Sequence, residues 1–315
     1  MSRESYAVGG QAVIEGVMMR AKDYIACAVR SPEGEVVLKK EPFRSFLVRF
    51  RLHKIPILRG GIGLIESMIV GMRMLTYSAE VAMPEEEKKE GRAWLDRLWM
   101  ILTLIFAFVA GLGLFFYIPL ILTDLVPGTE SSLAFNLVDG LFRLLIFLAY
   151  IWVISLWKDM RRVFQYHGAE HKTINAFEAG EKLSPEVIQS YSRLHPRCGT
   201  SFLLLVMLVS ILVFLFLGRP ETIGDRLIRL AFIPLIGGIS YELIKLSAKG
   251  SWKYWLAPLV YPGLGLQLMT TKEPDLDQCE VALCSLAACL PPDELEEKIA
   301  EEWIPADGEM EKGEE

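Results

Sequence analysis

His167-Gly168-Ala169-Glu170-His171 is the stretch of this chain best equipped for chemistry. On an α-helix His167 and His171 are four residues apart and share a face, and Glu170 leans toward the same side. Two imidazoles and a carboxylate so placed can converge on one metal ion. The run fits the H-x-x-E-H pattern of inverted zincins, in which the histidines hold zinc and the glutamate activates bound water. His195-Pro196-Arg197-Cys198 adds an imidazole and a thiol three residues apart, a further pair of metal ligands. Three of the four histidines in the chain fall in these two clusters. A hydrolytic site needs a third protein ligand and an open coordination position. Glu242 lies 71 residues after His171 (242 − 171), a separation used for the downstream glutamate ligand of inverted zinc peptidases, and His195 and Cys198 compete with it. The first-choice ligands are His167, His171 and His195. With Cys198 added the site is closed and structural; with Cys198 outside it, the site favours catalysis.

The elements that position these residues belong to a membrane protein. Hydrophobic residues make up 52% of the 315 and mean hydropathy is +0.33, with charges gathered into blocks between apolar runs. The net charge of -6 is set by the acidic segment 273–315: without its fifteen acids and two lysines, 31 basic residues face 24 acidic ones. The five cysteines form no CxxC pair and no secreted-domain framework, so reduced thiols facing a cytoplasm are expected. Gly9-Gly10 is too short for a phosphate-binding fingerprint. No nucleic-acid partner is expected.

Four apolar runs are long enough to span a bilayer: 98–122, 137–157, 200–217 and 227–247. Lys and Arg number sixteen before the first run, none in 124–136, seven in 158–199 and two in 218–226. That bias puts both termini and the histidine loop in the cytoplasm. The fold class is therefore an α-helical integral membrane protein of four spans with a small N-terminal cytoplasmic β-sheet. Residues 1–54 form the β-rich region, read as about three strands, in which Glu15 and Arg20 are either solvated or supporting groups for the site. Residues 55–97 hold a helix and a linker; Arg59, Glu66, Arg73 and Glu80 recur every seven residues, a charged stripe suited to a helix that lies in the membrane interface or packs against the bundle. Residues 98–247 are the membrane domain with its histidine and cysteine loop 158–199. Segment 248–272, broken by prolines and glycines, is an interfacial or re-entrant hairpin. Segment 273–315 is an acidic cytoplasmic tail whose residues 276–290 form an amphipathic helix.

The stretches Gly9 to Arg20, Tyr166 to Asn175, His195 to Phe202 and Pro262 to Gln267 resemble the YqhQ family, bacterial multi-pass membrane proteins grouped as a domain of unknown function. The resemblance covers nearly the whole chain from about Tyr6. It implies an integral membrane protein labelled a predicted metal-dependent enzyme, and brings neither substrate nor reaction.

Two functional classes are expected from these residues. The first is an inner-membrane metal-dependent hydrolase, using a divalent metal such as zinc, acting on a membrane-associated substrate, a membrane protein or a lipid. Glu170 would take the proton from water, and Arg197 or Arg20 would hold an anionic group. The second is a non-enzymatic membrane scaffold or assembly factor with a structural metal or a polar His/Cys cluster, in which Arg197 and Lys172 contact lipid phosphate. A transporter ranks third, on the strength of Asp139, Arg143 and Arg229 within the spans.

Overall fold

A computed structural model describes residues 8–50, 52–84, 93–247, 252–299 and 310–312. The chain opens with β1 (Gly9–Val13), β2 (Gly16–Arg20), β3 (Tyr24–Arg30) and β4 (Val36–Pro42), followed by α1 (Phe46–Arg49) and α2 (Leu58–Val81). Then come α3 (Ala93–Leu112), α4 (Ile118–Asp124), α5 (Ser132–Ile154), α6 (Lys158–Ala179), α7 (Pro185–Gln189) and α8 (Gly199–Leu217). α9 (Ile223–Ala231), α10 (Ile233–Ser247), α11 (Trp252–Thr270), α12 (Leu276–Cys289), α13 (Pro292–Lys298) and β5 (Met310–Lys312) complete it. The linker 85–92 and most of the acidic end lie outside the described residues.

Four strands, where about three were expected, pair antiparallel in chain order, and β5 adds parallel to β4. Strand side chains alternate between faces, and here both faces are covered. Val17, Met19, Ala26, Ala28 and Leu38 pack toward α6 and α12. Val13, Met18, Ile25, Cys27 and Val29 pack toward Val70 and Met74 of α2. Burial on both sides explains why β2 and β3 read as continuous apolar runs instead of alternating ones.

The acidic segment is not an appendage. α12 is buried along nearly its whole length between the sheet and α6, and the Ser285 hydroxyl donates to the Ala26 carbonyl at 3.0 Å. Ala26 and Ala28 let the helix come close, and the Asp275 side chain caps it by accepting from the Gln278 amide. The acids that dominate the composition lie mostly beyond it.

Four stretches are long and apolar enough to cross a membrane: Ile101–Asp124, Ser132–Ile154, Gly199–Leu217 and Ile223–Ser247. The first is α3 joined to α4 through a π turn at Gly113–Tyr117. The second begins earlier than its apolar run, because Ser131 caps it by accepting from the Ala134 amide and its polar residues Asn136 and Asp139 are buried. Inside the bundle Arg143 pairs with Asp139 at 2.9 Å, and Arg229 donates to Asn136 at 2.7 Å and to the Gly218 carbonyl at 2.6 Å. These charges gather at the Gly218 end of α8, where Asp139 Oδ1, Arg143 Nε and Arg229 Nη1 are buried without a hydrogen-bond partner. Segment 252–270 is one continuous helix, not a hairpin: its Gly263 lies against Ser201 of α8, where no side chain would fit.

α2 braces the two halves of the molecule. Gly60 and Gly61 press its first turns onto Gly238, Tyr241 and Pro234 of α10, while Gly71 makes room for the Gln11 amide of β1. Three charges of its stripe are clamps. Arg59 holds Glu242 at 2.7 Å, Glu66 accepts from the Ser45 hydroxyl and the Phe46 amide, and Arg73 pairs with Glu41 at 2.5 Å.

Candidate metal centre

α6 carries the central residues. Gly180 stops it in the left-handed conformation at φ 83°, and the Glu181 amide closes back on the Ala176 carbonyl. Its polar sequence is buried nonetheless, from Gly168 to Ile174. Glu15 fixes its register by pairing with Arg162 and by accepting from the Tyr166 hydroxyl at 3.3 Å, one residue before His167.

His167, His171 and Cys198 each offer a ligand atom, all within 4.8 Å of one another. The Cys198 sulfur is 3.3 Å from His167 Nε2. A tetrahedral zinc with its usual bond lengths separates neighbouring nitrogen and sulfur ligands by roughly 3.5 Å, so the donor set fits that ion. Orientation of the rings supports the fit. His167 Nδ1 lies 2.8 Å from the Thr270 carbonyl and His171 Nδ1 lies 2.6 Å from the Arg193 carbonyl. A carbonyl only accepts, so each Nδ1 carries a proton and Nε2 is the ring atom left to face a ligand. Carbonyl-anchored imidazoles are the usual outer support of metal ligands. Burial lowers the pKa of His171, which keeps it in the neutral, ligating form.

Two glycines make these contacts possible. A side chain on Gly168 would sit 2.1 Å from the Lys272 carbonyl, so only glycine lets segment 270–274 pass over α6 and deliver the Thr270 carbonyl. A side chain on Gly10 would meet Glu170 Cγ at 2.9 Å. Glu170 is buried beside the histidines, and the Gly10 amide donates to it; burial raises its pKa, opposed by the imidazoles of His167 and His195 and by that amide.

The other expected residues lie elsewhere. His195 is adjacent, its ring 5.7 Å from that of His171, but its Nδ1 accepts from the Arg197 amide at 3.4 Å and its Nε2 faces Glu178 at 3.6 Å. Both nitrogens are engaged away from the three-residue group. Glu242 is clamped to Arg59 and does not join it: residing on the same side of the bundle as the histidines does not bring α10 to α6. Arg20 stacks on Phe43, 4.0 Å from the ring. Lys172 is buried, pairs with Glu273 and donates to the Gln189 carbonyl, so it is closed to lipid phosphate; Arg197 pairs with Glu178 and stays 43% exposed. Cys198, not Thr200 or Ser201, is the N-cap of α8.

Residue-level reading missed Gln267, fully buried, which accepts from the His195 amide at 2.9 Å and donates to the His195 carbonyl and the Ser201 hydroxyl, each at 2.8 Å. Its sequence signals were a polar residue within an apolar run and its place at the end of the Pro262 to Gln267 stretch that carries the family resemblance. A cavity of about 620 Å³ opens above the group, bounded by β1, α2, α6 and the first turn of α8.

Comparison with known proteins agrees with this architecture. No solved structure matches the chain. The "Uncharacterized protein YqhQ" of Bacillus subtilis (strain 168) is 37% identical over 288 residues, covering 88% of this chain and 90% of that protein. A family model described as "Protein of unknown function (DUF1385)" matches residues 55–291. The chain therefore belongs to the DUF1385 family, together with proteins like YqhQ.

Proposed function

We propose that this is a multi-pass protein of the bacterial cytoplasmic membrane and a metal-dependent hydrolase, with His167, His171 and Cys198 as the ligands of a divalent ion such as zinc. The reading puts both termini in the cytoplasm and the site at the cytoplasmic membrane surface. Membrane residence is supported by apolar side chains that project from the spans with no protein cover, such as Phe106 at 73% and Phe216 at 90% exposure. The carrying observation for the metal is the pair of carbonyl-anchored imidazoles turned toward one thiol.

Three protein ligands leave one coordination position open, the arrangement of catalytic rather than structural zinc. A bound divalent ion would supply Lewis-acid polarisation and acidify a bound water. Glu170, held by the Gly10 amide and buried beside the imidazoles, would accept the proton of that water and pass it to the leaving group. Gln267 would keep the His195 backbone fixed behind the site.

One observation favours the alternative, a non-enzymatic scaffold: His167 Nε2 and Cys198 already satisfy each other as hydrogen-bond partners. Metal analysis of the purified protein decides. About one equivalent of divalent metal is expected, removed by joint replacement His167→Ala and His171→Ala. A full metal complement in that variant would sink the ligand set, and a folded, metal-free wild-type protein would leave the scaffold. Glu170→Gln is expected to retain metal and fold while losing turnover.

A further inference from the structure

We propose that the 620 Å³ cavity above the metal group receives one acyl chain of a membrane lipid, with the lipid's polar end at His167 and Cys198. This deepens the hydrolase reading and rests on it for membrane placement and for the cluster.

The argument begins at α2. Ile65, Met68, Ile69 and Met72 are exposed and fall at i, i+3, i+4 and i+7, so one face of the helix presents an uncovered apolar stripe. Soluble proteins bury such a stripe; a helix lying in the membrane interface inserts it. Met68 and Met72 belong to this stripe and also line the cavity. Leu203, which lies within the first span turns of α8 and is 45% exposed, lines it from the opposite side. The mouth is thus framed by apolar residues shared with the surface expected to meet lipid. Deeper in, the walls are Phe164 and Ile174 of α6, both buried; His167, Glu170, His171 and Cys198 form the inner end, and Gln11, Ser67, Arg197 and Thr200 are polar groups in a lining that is otherwise mostly apolar.

The volume lies within the roughly 300–1,000 Å³ typical of small-molecule sites. An apolar mouth, apolar walls and a polar end call for an amphiphile. A soluble polar metabolite would leave the apolar walls unmatched; Lys172 is buried against Glu273, while Arg197, paired with Glu178 yet 43% exposed, belongs to the lining. The apolar walls therefore select for a chain, and Arg197 in the lining is placed to meet an anionic headgroup.

The test uses the intact protein in phosphatidylcholine vesicles containing a phospholipid with a diazirine a few carbons from the ester of one acyl chain, with adducts mapped after illumination. A second arm offers the same diazirine fatty acid free in solution. Adducts on Phe164 or Ile174 from the phospholipid are expected, since a lipid lying outside the protein cannot reach these side chains. Ser67→Trp at the exposed rim, and Leu203→Trp from the other side as an independent variant, are expected to lower them roughly ten-fold. That loss corresponds to excluding about two buried methylenes. Metal content of the same samples should not change. Adducts confined to outward residues of the spans, or cavity adducts from the free fatty acid alone, would overturn the proposal. Cavity adducts on a protein without metal would overturn the hydrolase reading and leave the lipid site standing. Metal without cavity adducts would do the reverse.

Discussion

Gly168 governs the chemistry of His167 although it carries no side chain. Its bare Cα lets the backbone of 270–272 cross α6, and the Thr270 carbonyl then fixes which nitrogen of His167 bears the proton. Gly168→Ala would put a methyl 2.1 Å from the Lys272 carbonyl and push that segment off. Loss of an orienting partner of this kind costs roughly 10- to 100-fold in metal affinity. Competition with a chromophoric zinc chelator measures it. The control is Gly111→Ala, at a glycine with open space around it, where affinity should hold. Equal affinities in the two variants would remove Gly168 from the site. Glu15 and Gln267 act in the same indirect way, one through the register of α6 and the other through the backbone of His195.

Elements rather than single residues explain what could be read from the chain and what could not. The spans and the helix bearing His167 and His171 were legible because apolar length and helical spacing are local properties. The anchoring of the imidazoles was not, because the Thr270 and Arg193 carbonyls belong to segments 103 and 22 residues away and backbone carbonyls carry no residue identity. Glu242 was misassigned because loop charge places it on a side of the membrane and says nothing about its partner; the stripe residue Arg59 claims it. α12 was read as part of a tail because its small residues give a weak pattern beside the acids that follow it. Its true position has a consequence at high pH. Burial pushes the thiols of Cys279 and Cys289 on α12, and of Cys27 on the sheet, from the ordinary value of 9.0 up to about 12. Below pH 9 the folded and unfolded chains both keep these protons and the thiols are neutral to stability. Between about 9 and 12 only the unfolded chain releases them, so stability falls as pH rises, by about 1.4 kcal/mol per thiol per pH unit. Urea midpoints in detergent at pH 7.5 and 10.5 should show the drop, and Cys279→Ala should lessen it. A midpoint independent of pH over that range would contradict the packing of α12.

On the scale of the molecule, α8 separates two polar ends. Its first residue follows Cys198 of the His167–His171–Cys198 group; its last precedes Gly218, where Arg229, Asn136 and Asp139 meet. At 19 residues and about 1.5 Å per residue the two lie roughly 28 Å apart, close to the thickness of a hydrocarbon core. The sheet, α6 and α12 all gather at the Cys198 end, as the proposed four crossings require. The loop between α4 and α5 lies at the other end and 124–136 has no Lys or Arg, against sixteen before the first apolar run. The proposed orientation rests on this positive-inside bias, which would put the His167–Cys198 end in the cytoplasm. Cys284 is the one half-buried thiol, so a Cys284→Ala background leaves only buried ones. On it, Glu130→Cys in the α4–α5 loop should react with a membrane-impermeant maleimide in intact cells. Glu33→Cys, in the turn between β3 and β4, should react only in inverted vesicles. The opposite labelling would invert the protein and remove the site from cytoplasmic lipid. Labelling of both from one side would break the even number of spans on which the assignment rests.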